Sequence, residues 1–191
     1  MKHHINDENK IEPLLRSLEI IAVQKELQKW AGSDHNRQIA SNRIMTFMSG
    51  RERDLDLSSL RLTSLPDIFD NATMRNRLKI LYVNNNQLQS LPDLSGLTSL
   101  IGLVLTGNPL QSQQPKSILK LPTNCRVLLP KHVRDKLREK CENPGYRGPR
   151  ICSDFEEYCK NLDTPLRSLD AKSENPGFIE MQTIHAHTTS K

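Results

Sequence analysis

Two segments of this chain align residue for residue. Leu55-Asp56-Leu57-Ser58-Ser59-Leu60-Arg61-Leu62-Thr63-Ser64-Leu65-Pro66 matches Leu81-Tyr82-Val83-Asn84-Asn85-Asn86-Gln87-Leu88-Gln89-Ser90-Leu91-Pro92, with Leu or Val at the same four places. A third copy begins Leu103-Val104-Leu105-Thr106-Gly107-Asn108-Pro109-Leu110, and a degenerate fourth is Val127-Leu128-Leu129. The copies start at 55, 81, 103 and 127, so they are 26, 22 and 24 residues apart, the period of leucine-rich repeats. A single such unit cannot bury its apolar side; neighbours must stack on it. The expected fold is therefore α/β: a short leucine-rich-repeat solenoid of three to four repeats with parallel strands, capped by N-terminal helices and a C-terminal helix and loop.

Each residue type in the repeat has a physical reason. Leu-x-Leu is a short strand whose alternate side chains enter the solenoid, while the intervening ones point to the concave face. Asn86 and Asn108 are expected to turn inward, their amides satisfying backbone groups of the neighbouring coil. Leu60 takes that place in the first copy, which has no preceding repeat to bond. The Leu-Pro pairs at 65–66 and 91–92 set an extended return path on the convex side. The concave set, and hence the candidate partner-binding positions, is Asp54, Asp56 and Ser58, then Ile80, Tyr82 and Asn84, then Val104 and Thr106, then Arg126 and Leu128. Within it Ile80, Tyr82, Val104 and Leu128 form an apolar stripe expected to be exposed, with Tyr82 as the anchor.

Composition agrees with a leucine-built core. Of 27 Leu, 19 lie between Leu55 and Leu129, and aromatics make up only 4%. No run approaches the ~18–20 apolar residues of a membrane span. The start, Met1-Lys2-His3-His4-Ile5-Asn6-Asp7-Glu8-Asn9-Lys10, lacks the features of a secretory signal peptide. The net charge is +5, with much of the excess between Lys116 and Lys140. That segment alternates signs and carries no stacking aromatics, so a solvated helix face is expected and nucleic-acid binding is not. Cys125, Cys141, Cys152 and Cys159 contain no CxxC pair, and Cys125 lies in an apolar run, so reduced thiols are expected. His3, His4, His185 and His187 fall in tails where a metal would lack support. No phosphate-cradling glycine motif is present. Neither cofactor nor metal is expected.

The chain divides into a flexible N-terminus (1–12), a helical capping module (13–50), the repeats (51–130), a C-terminal cap and linker (131–160) and a polar, disordered tail (161–191). Pro13 opens a helix over Leu14–Ala31, with Leu14, Leu15, Leu18, Ile21 and Ala22 as its inward stripe and Gly32 as its stop. A second helix runs over Asn36–Ser49, turning Ile39, Ala40, Ile44, Phe47 and Met48 inward. Trp30 is a core anchor. Lys131–Lys140 is a short capping helix with Val133 and Leu137 inward.

These features together resemble the bacterial type III secreted leucine-rich-repeat effectors, the IpaH, SspH, SlrP and YopM group. The Trp30 helix followed by Arg37-Gln38-Ile39-Ala40 is similar to their helical module. The Leu-x-Ser-Leu-Pro elements at 62–66 and 88–92 are similar to their repeats, and Cys125-Arg126-Val127 resembles the strand of their last one. Pro144-Gly145-Tyr146-Arg147-Gly148-Pro149-Arg150-Ile151 resembles the Tyr-x-Gly-Pro-x-Ile segment that closes their repeat domain. The resemblance covers roughly residues 25–152. It implies a monomeric, non-enzymatic module that is secreted by a bacterium into the host cytoplasm and grips a host protein through its concave face. The alternative is a truncated ubiquitin-protein ligase that kept only its substrate-recognition half. Cys152-Ser153-Asp154 is formally the ligases' Cys-x-Asp, yet it falls at the family's linker position, and Asp154 and Glu156 oppose a thiolate there.

Overall fold

The computed structural model describes residues 8–111 and 117–160. Each Leu-x-Leu element becomes a three-residue strand: β1 (Asp54–Asp56), β2 (Ile80–Tyr82), β3 (Gly102–Val104) and β4 (Arg126–Leu128). A fifth, β5 (Arg150–Cys152), extends the ladder beyond the four copies legible as leucine repeats. All pair in parallel in the order β1-β2-β3-β4-β5. The register aligns Leu55, Leu81, Leu103, Val127 and Ile151, so the spacings of 26, 22 and 24 are followed by another 24. Leu55, Leu81, Leu103 and Val127 are buried. The chain is an α/β leucine-rich-repeat solenoid, with one more strand than the sequence pattern shows.

Two buried asparagines lock the rungs together. The Asn86 Oδ1 accepts hydrogen bonds from the backbone N–H groups of Leu60 and Leu62, both at 3.0 Å. Its Nδ2 donates to the carbonyls of Leu57 (2.8 Å) and Val83 (2.9 Å). Asn108 repeats the arrangement one rung later: Oδ1 accepts from Leu88 N at 3.1 Å, and Nδ2 donates to the carbonyls of Val83 and Leu105, each at 2.9 Å. A three-residue strand satisfies few backbone groups, and these amides satisfy the turn that follows it. Beyond each strand the chain turns through the left-handed region at equivalent positions, Ser59 (φ 57°), Asn85 (φ 56°) and Gly107 (φ 68°). At Gly107 a side chain is excluded as well, because a Cβ would stand 3.1 Å from the Asn85 backbone.

The N-terminal cap is α1 (Glu8–Ala31) and α2 (His35–Ser49). Helix α1 starts before Pro13 rather than at it. Pro13 is the sixth residue of the helix, just past the first four N–H groups that are unpaired in any case, so it withholds one helical hydrogen bond. The segment expected to be a flexible start is thus helical from Glu8; residues 1–7 lie outside the described residues. The inward stripe predicted for α1 is also corrected. Leu14, Leu15, Leu18, Ile21 and Ala22 are exposed, and the buried residues are Val23, Leu27 and Ala31. The reason is rotational: Glu19 accepts hydrogen bonds from Thr73 N (2.9 Å) and Thr73 Oγ1 (2.7 Å), which turns the polar side of the first half toward the repeats. Helix α2 packs as expected, with Ala40, Ile44, Phe47 and Met48 buried. Asp34 caps it by accepting from Arg37 N at 3.0 Å. Trp30 anchors the cap to the first repeat, its Nε1 donating to Ser64 Oγ at 3.2 Å while the Arg37 guanidinium lies over its ring.

On the convex side the first return path is not wholly extended. It contains α3 (Ala72–Arg77), capped by Asn71, which accepts from Met74 N at 2.8 Å. A helix advances only ~1.5 Å per residue, and the longest repeat has the residues to spare. From α3, Arg77 donates to the carbonyls of Phe47, Met48, Gly50 and Glu52 at 2.6–3.2 Å, satisfying the otherwise open C-terminal end of α2. Helix α4 (Lys131–Cys141) turns Val133 and Leu137 inward as predicted. It is the return path between β4 and β5, however, and not the end of the solenoid. The last described element is α5 (Phe155–Cys159). The predicted polar tail, 161–191, lies outside the described residues.

Replacing Asn86 by Ala orphans two buried N–H donors and frees two carbonyls, at ~1–3 kcal/mol per unsatisfied group. Urea unfolding is expected to show a loss of at least ~3 kcal/mol for Asn86→Ala. A smaller loss is expected for Asn108→Ala, whose Oδ1 serves one donor.

Candidate protein-binding face

The register sorts the concave positions into lanes that run across the rungs. One lane is Asp54, Ile80, Gly102, Arg126 and Arg150; the next is Asp56, Tyr82, Val104, Leu128 and Cys152. Backbone bonds beyond the strands, Ser59 N to Asn84 O and Asn85 N to Thr106 O, bring Ser58, Asn84 and Thr106 into a third. All ten predicted positions therefore lie on the same face of one parallel sheet.

Their exposure is not what the sequence suggested. Asp56 is exposed, and Asp54, Ser58, Thr106 and Arg126 are half-buried. Ile80, Tyr82, Asn84, Val104 and Leu128 are only 0–8% exposed. The stripe predicted to await a partner is covered, because α5 folds back over it. The Tyr158 ring sits against Gly102 so closely that a Cβ there would lie 3.3 Å from Tyr158 Cζ and nearer still to the hydroxyl. Arg126 holds the helix from below, its Nη1 donating to the carbonyls of Glu157 (3.1 Å) and Tyr158 (3.2 Å). Phe155 stacks on Tyr158 with ring centroids 6.0 Å apart. Burial, with Asp54 and Asp56 nearby, pushes the Tyr82 phenol up to about 12.

Helix α5 has its own local code. Asp154 caps it by accepting from Glu157 N at 2.8 Å, and Glu157 reaches back to accept from Ser153 N at 2.6 Å, a variant of the capping box displaced by one residue to the position before the cap. Arg150 adds a two-pronged bond to Glu157, 2.7 Å and 3.0 Å, and Arg134 donates to the Ser153 carbonyl. Two residues of the basic segment, Arg126 and Arg134, thus serve the C-terminal structure. The missed signals were Gly102, since glycine in a strand marks close approach, and the Asp154-x-x-Glu157 spacing.

The covering costs something. The Tyr158 hydroxyl and the Asn84 Oδ1 are buried with no hydrogen-bond partner. An orphaned buried polar group is destabilising, so the cover is held by apolar contact and by Arg126 against a polar penalty.

The segment that joins α4 to β5 explains itself in the same terms. Tyr146 donates from its hydroxyl to the Pro149 carbonyl at 2.9 Å. Gly148 lies under the Tyr146 ring, where a Cβ would stand 2.7 Å from the Leu119 carbonyl oxygen. Arg150 N then donates to Cys125 O at 2.8 Å, and Ile151 falls beside Val127. Tyrosine folds the loop, glycine permits it, and isoleucine enters the ladder.

The thiol of the formal Cys-x-Asp is fully buried, and burial together with Glu157 pushes the Cys152 thiol up to about 11. Cys125 is buried likewise and pushed up to about 12. All four cysteines are free. Among the described residues no group of three or more His, Cys, Asp or Glu is placed to hold a metal ion, and no described helix is long and apolar enough to cross a membrane. The four tail histidines lie outside the described residues.

Tyr158→Phe removes the orphaned hydroxyl and keeps the ring. Thermal or urea unfolding is expected to show a gain of roughly 1 kcal/mol; a loss of stability would place an unseen partner on that hydroxyl.

No family model and no curated protein matches the chain. Among solved structures it is similar to one described as the structure of a Shigella effector LRR domain, with 19% identity and a TM-score of 0.35, covering 70% of this chain and 96% of that one.

Proposed function

We propose that the chain is the protein-binding leucine-rich-repeat module of a secreted bacterial effector and recognises a host protein on its concave side. The observation that carries this reading is the ladder itself. Five in-register parallel strands place three lanes of side chains on one face, an arrangement that serves contact with an extended partner. The effector origin, export into the host cytoplasm by the type III route, and the host identity of the partner rest on the resemblance of the closing segment and repeats. The closing segment supports them because each of its matched residues has a structural task in ending the solenoid.

The recognition surface is composite. Asp54, Asp56, Ser58, Thr106 and Arg126 contribute the accessible strand positions. Helix α5 adds the exposed Glu156 and Lys160 beside half-buried Phe155 and Cys159. Ile80, Tyr82, Asn84, Val104 and Leu128 act as the bed on which α5 rests. Such a face is small and largely polar, which fits a modest-affinity interface below about 1,200 Å².

The reading as a truncated ubiquitin ligase places its chemistry on Cys152. A buried thiol with a raised pKa is a poor nucleophile at neutral pH, which supports a non-enzymatic role. In this reading Cys152 is a core residue of the last strand.

The test is site-specific photo-crosslinking. A photoreactive residue at exposed Asp56 or at Thr106 is expected to capture the same host protein from lysate, and one at exposed Asp93 on the return path is not. Capture from Asp93 alone would move the binding surface to the convex side. In the same preparation Cys152→Ala is expected to leave ubiquitin discharge from a charged conjugating enzyme at background; Cys152-dependent discharge would establish the ligase reading instead.

A further inference from the structure

The helix that covers the concave face is an imperfect fit to its seat. Helix α5 has five residues, too few to keep its shape away from the body. It rests on the strands through Tyr158, whose side chain is fully buried while its hydroxyl has no hydrogen-bond partner. The Asn84 Oδ1 on the same face is orphaned as well. Such a group costs free energy for as long as the contact is kept, and water satisfies it when the contact opens. The fastenings are also unevenly placed. Arg134, Arg150, Ser153 and Asp154 hold the root of α5. Its far end is tied to the strands by Arg126, through the carbonyls of Glu157 and Tyr158. Beneath lie Ile80, Tyr82, Val104 and Leu128, none more than 7% exposed.

We propose that α5 is a displaceable cover: it lifts off the apolar lane from its Tyr158 end while β5 stays in the ladder, and the partner docks on the lane it bares. This rests on the reading of the concave side as the recognition surface and adds the regulation of that surface. The chemistry of the incoming group follows from what α5 leaves behind. Gly102 gives room for one ring, which Tyr158 now fills. Beside it run the apolar side chains of Ile80, Val104 and Leu128, and the Arg126 guanidinium is freed to meet a backbone carbonyl of the newcomer as it now meets those of α5. The seat fits a short protein segment that carries an aromatic side chain, supplying in trans what α5 supplies in cis. A partner of this kind binds only the open form, so its apparent affinity is reduced by the open fraction. The polar composite face is then the closed form, and any substitution that shifts the opening shifts recognition by the same factor.

Native-state hydrogen exchange of the full chain tests the opening. The Tyr158 and Lys160 amides, which donate to the Asp154 and Glu156 carbonyls, are expected to exchange through an opening that urea hardly accelerates, at least about a hundredfold faster than the Arg150 amide of β5. Tyr158→Phe removes the orphaned hydroxyl and is expected to slow that exchange about fivefold. Tyr158→Ala and Gly102→Ala are both expected to open the cover, the second because its Cβ meets the Tyr158 hydroxyl. In each the Arg150 amide stays protected, while a soluble nitroxide broadens the Val104 and Leu128 methyl signals that remain sharp in the unaltered chain. A photoreactive residue at Thr106 then reads recognition in host lysate. Its crosslink is expected to weaken about fivefold with Tyr158→Phe, to strengthen with Tyr158→Ala, and to weaken with Gly102→Ala, which opens the cover but fills the seat. Exchange of Tyr158 and Lys160 at the Arg150 rate, with the same urea dependence, would overturn the proposal, since α5 would then leave only when the solenoid unfolds. Crosslinks indifferent to Tyr158 and Gly102 would contradict the cover alone, whereas an α5 that opens as expected with no crosslink in any variant would contradict the reading as a binding module.

Discussion

Strands of three residues satisfy too few of their own backbone groups to stand alone, and everything else in this molecule follows from how the remainder are met. The side-chain amides of Asn86 and Asn108 supply the missing partners between rungs. Each sits inside the core and binds backbone from two successive coils. Because the amides bridge coils, no rung is stable without its neighbour, and the ends become the problem. The N-terminal end is closed by α2, whose open carbonyls are met by Arg77 from the first repeat. The C-terminal end is closed by the Tyr146–Ile151 segment, which adds a strand without a leucine repeat.

Closing the end also determines what the concave side offers. The chain leaves β5, turns at Asp154 and lays α5 against β3–β5, with Gly102 vacating the space for Tyr158. The apolar lane is thereby sheltered from water, and the polar rim and α5 remain accessible. Stability and recognition share this arrangement: the orphaned Tyr158 hydroxyl and Asn84 Oδ1 mark where packing was accepted over polar satisfaction.

Much of the solenoid was legible in the sequence, since the repeat period is a direct image of the rung and Asn86 and Asn108 stand where only buried amides make sense. Three features were not. The fifth strand has Ile151 as its single apolar inward residue, too little for a pattern. The cover on the concave face depends on contacts between positions such as Gly102 and Tyr158, 56 residues apart, which no local period encodes. On α1 the periodicity was real but its direction was wrong: an apolar stripe identifies a face, and here Glu19 and Arg16 decide which way the face points. The candidate contact residues fall into lanes on one face of the sheet, while their accessibility depends on α5 and so was hidden.

The central claim is that the segment after Tyr146 is a structural rung of the solenoid and not a linker. Native-state hydrogen exchange measured by NMR addresses it most directly through the Arg150 amide, which donates to Cys125 O, compared with the Arg126 amide, which donates to Ile101 O. The account predicts that both exchange only through global unfolding, with protection free energies equal to the stability measured by urea and falling together when Asn108 is replaced. Rapid exchange at Arg150 and Cys152 beside full protection at Arg126 would contradict it, leaving a four-rung solenoid with a frayed end and an uncovered concave face.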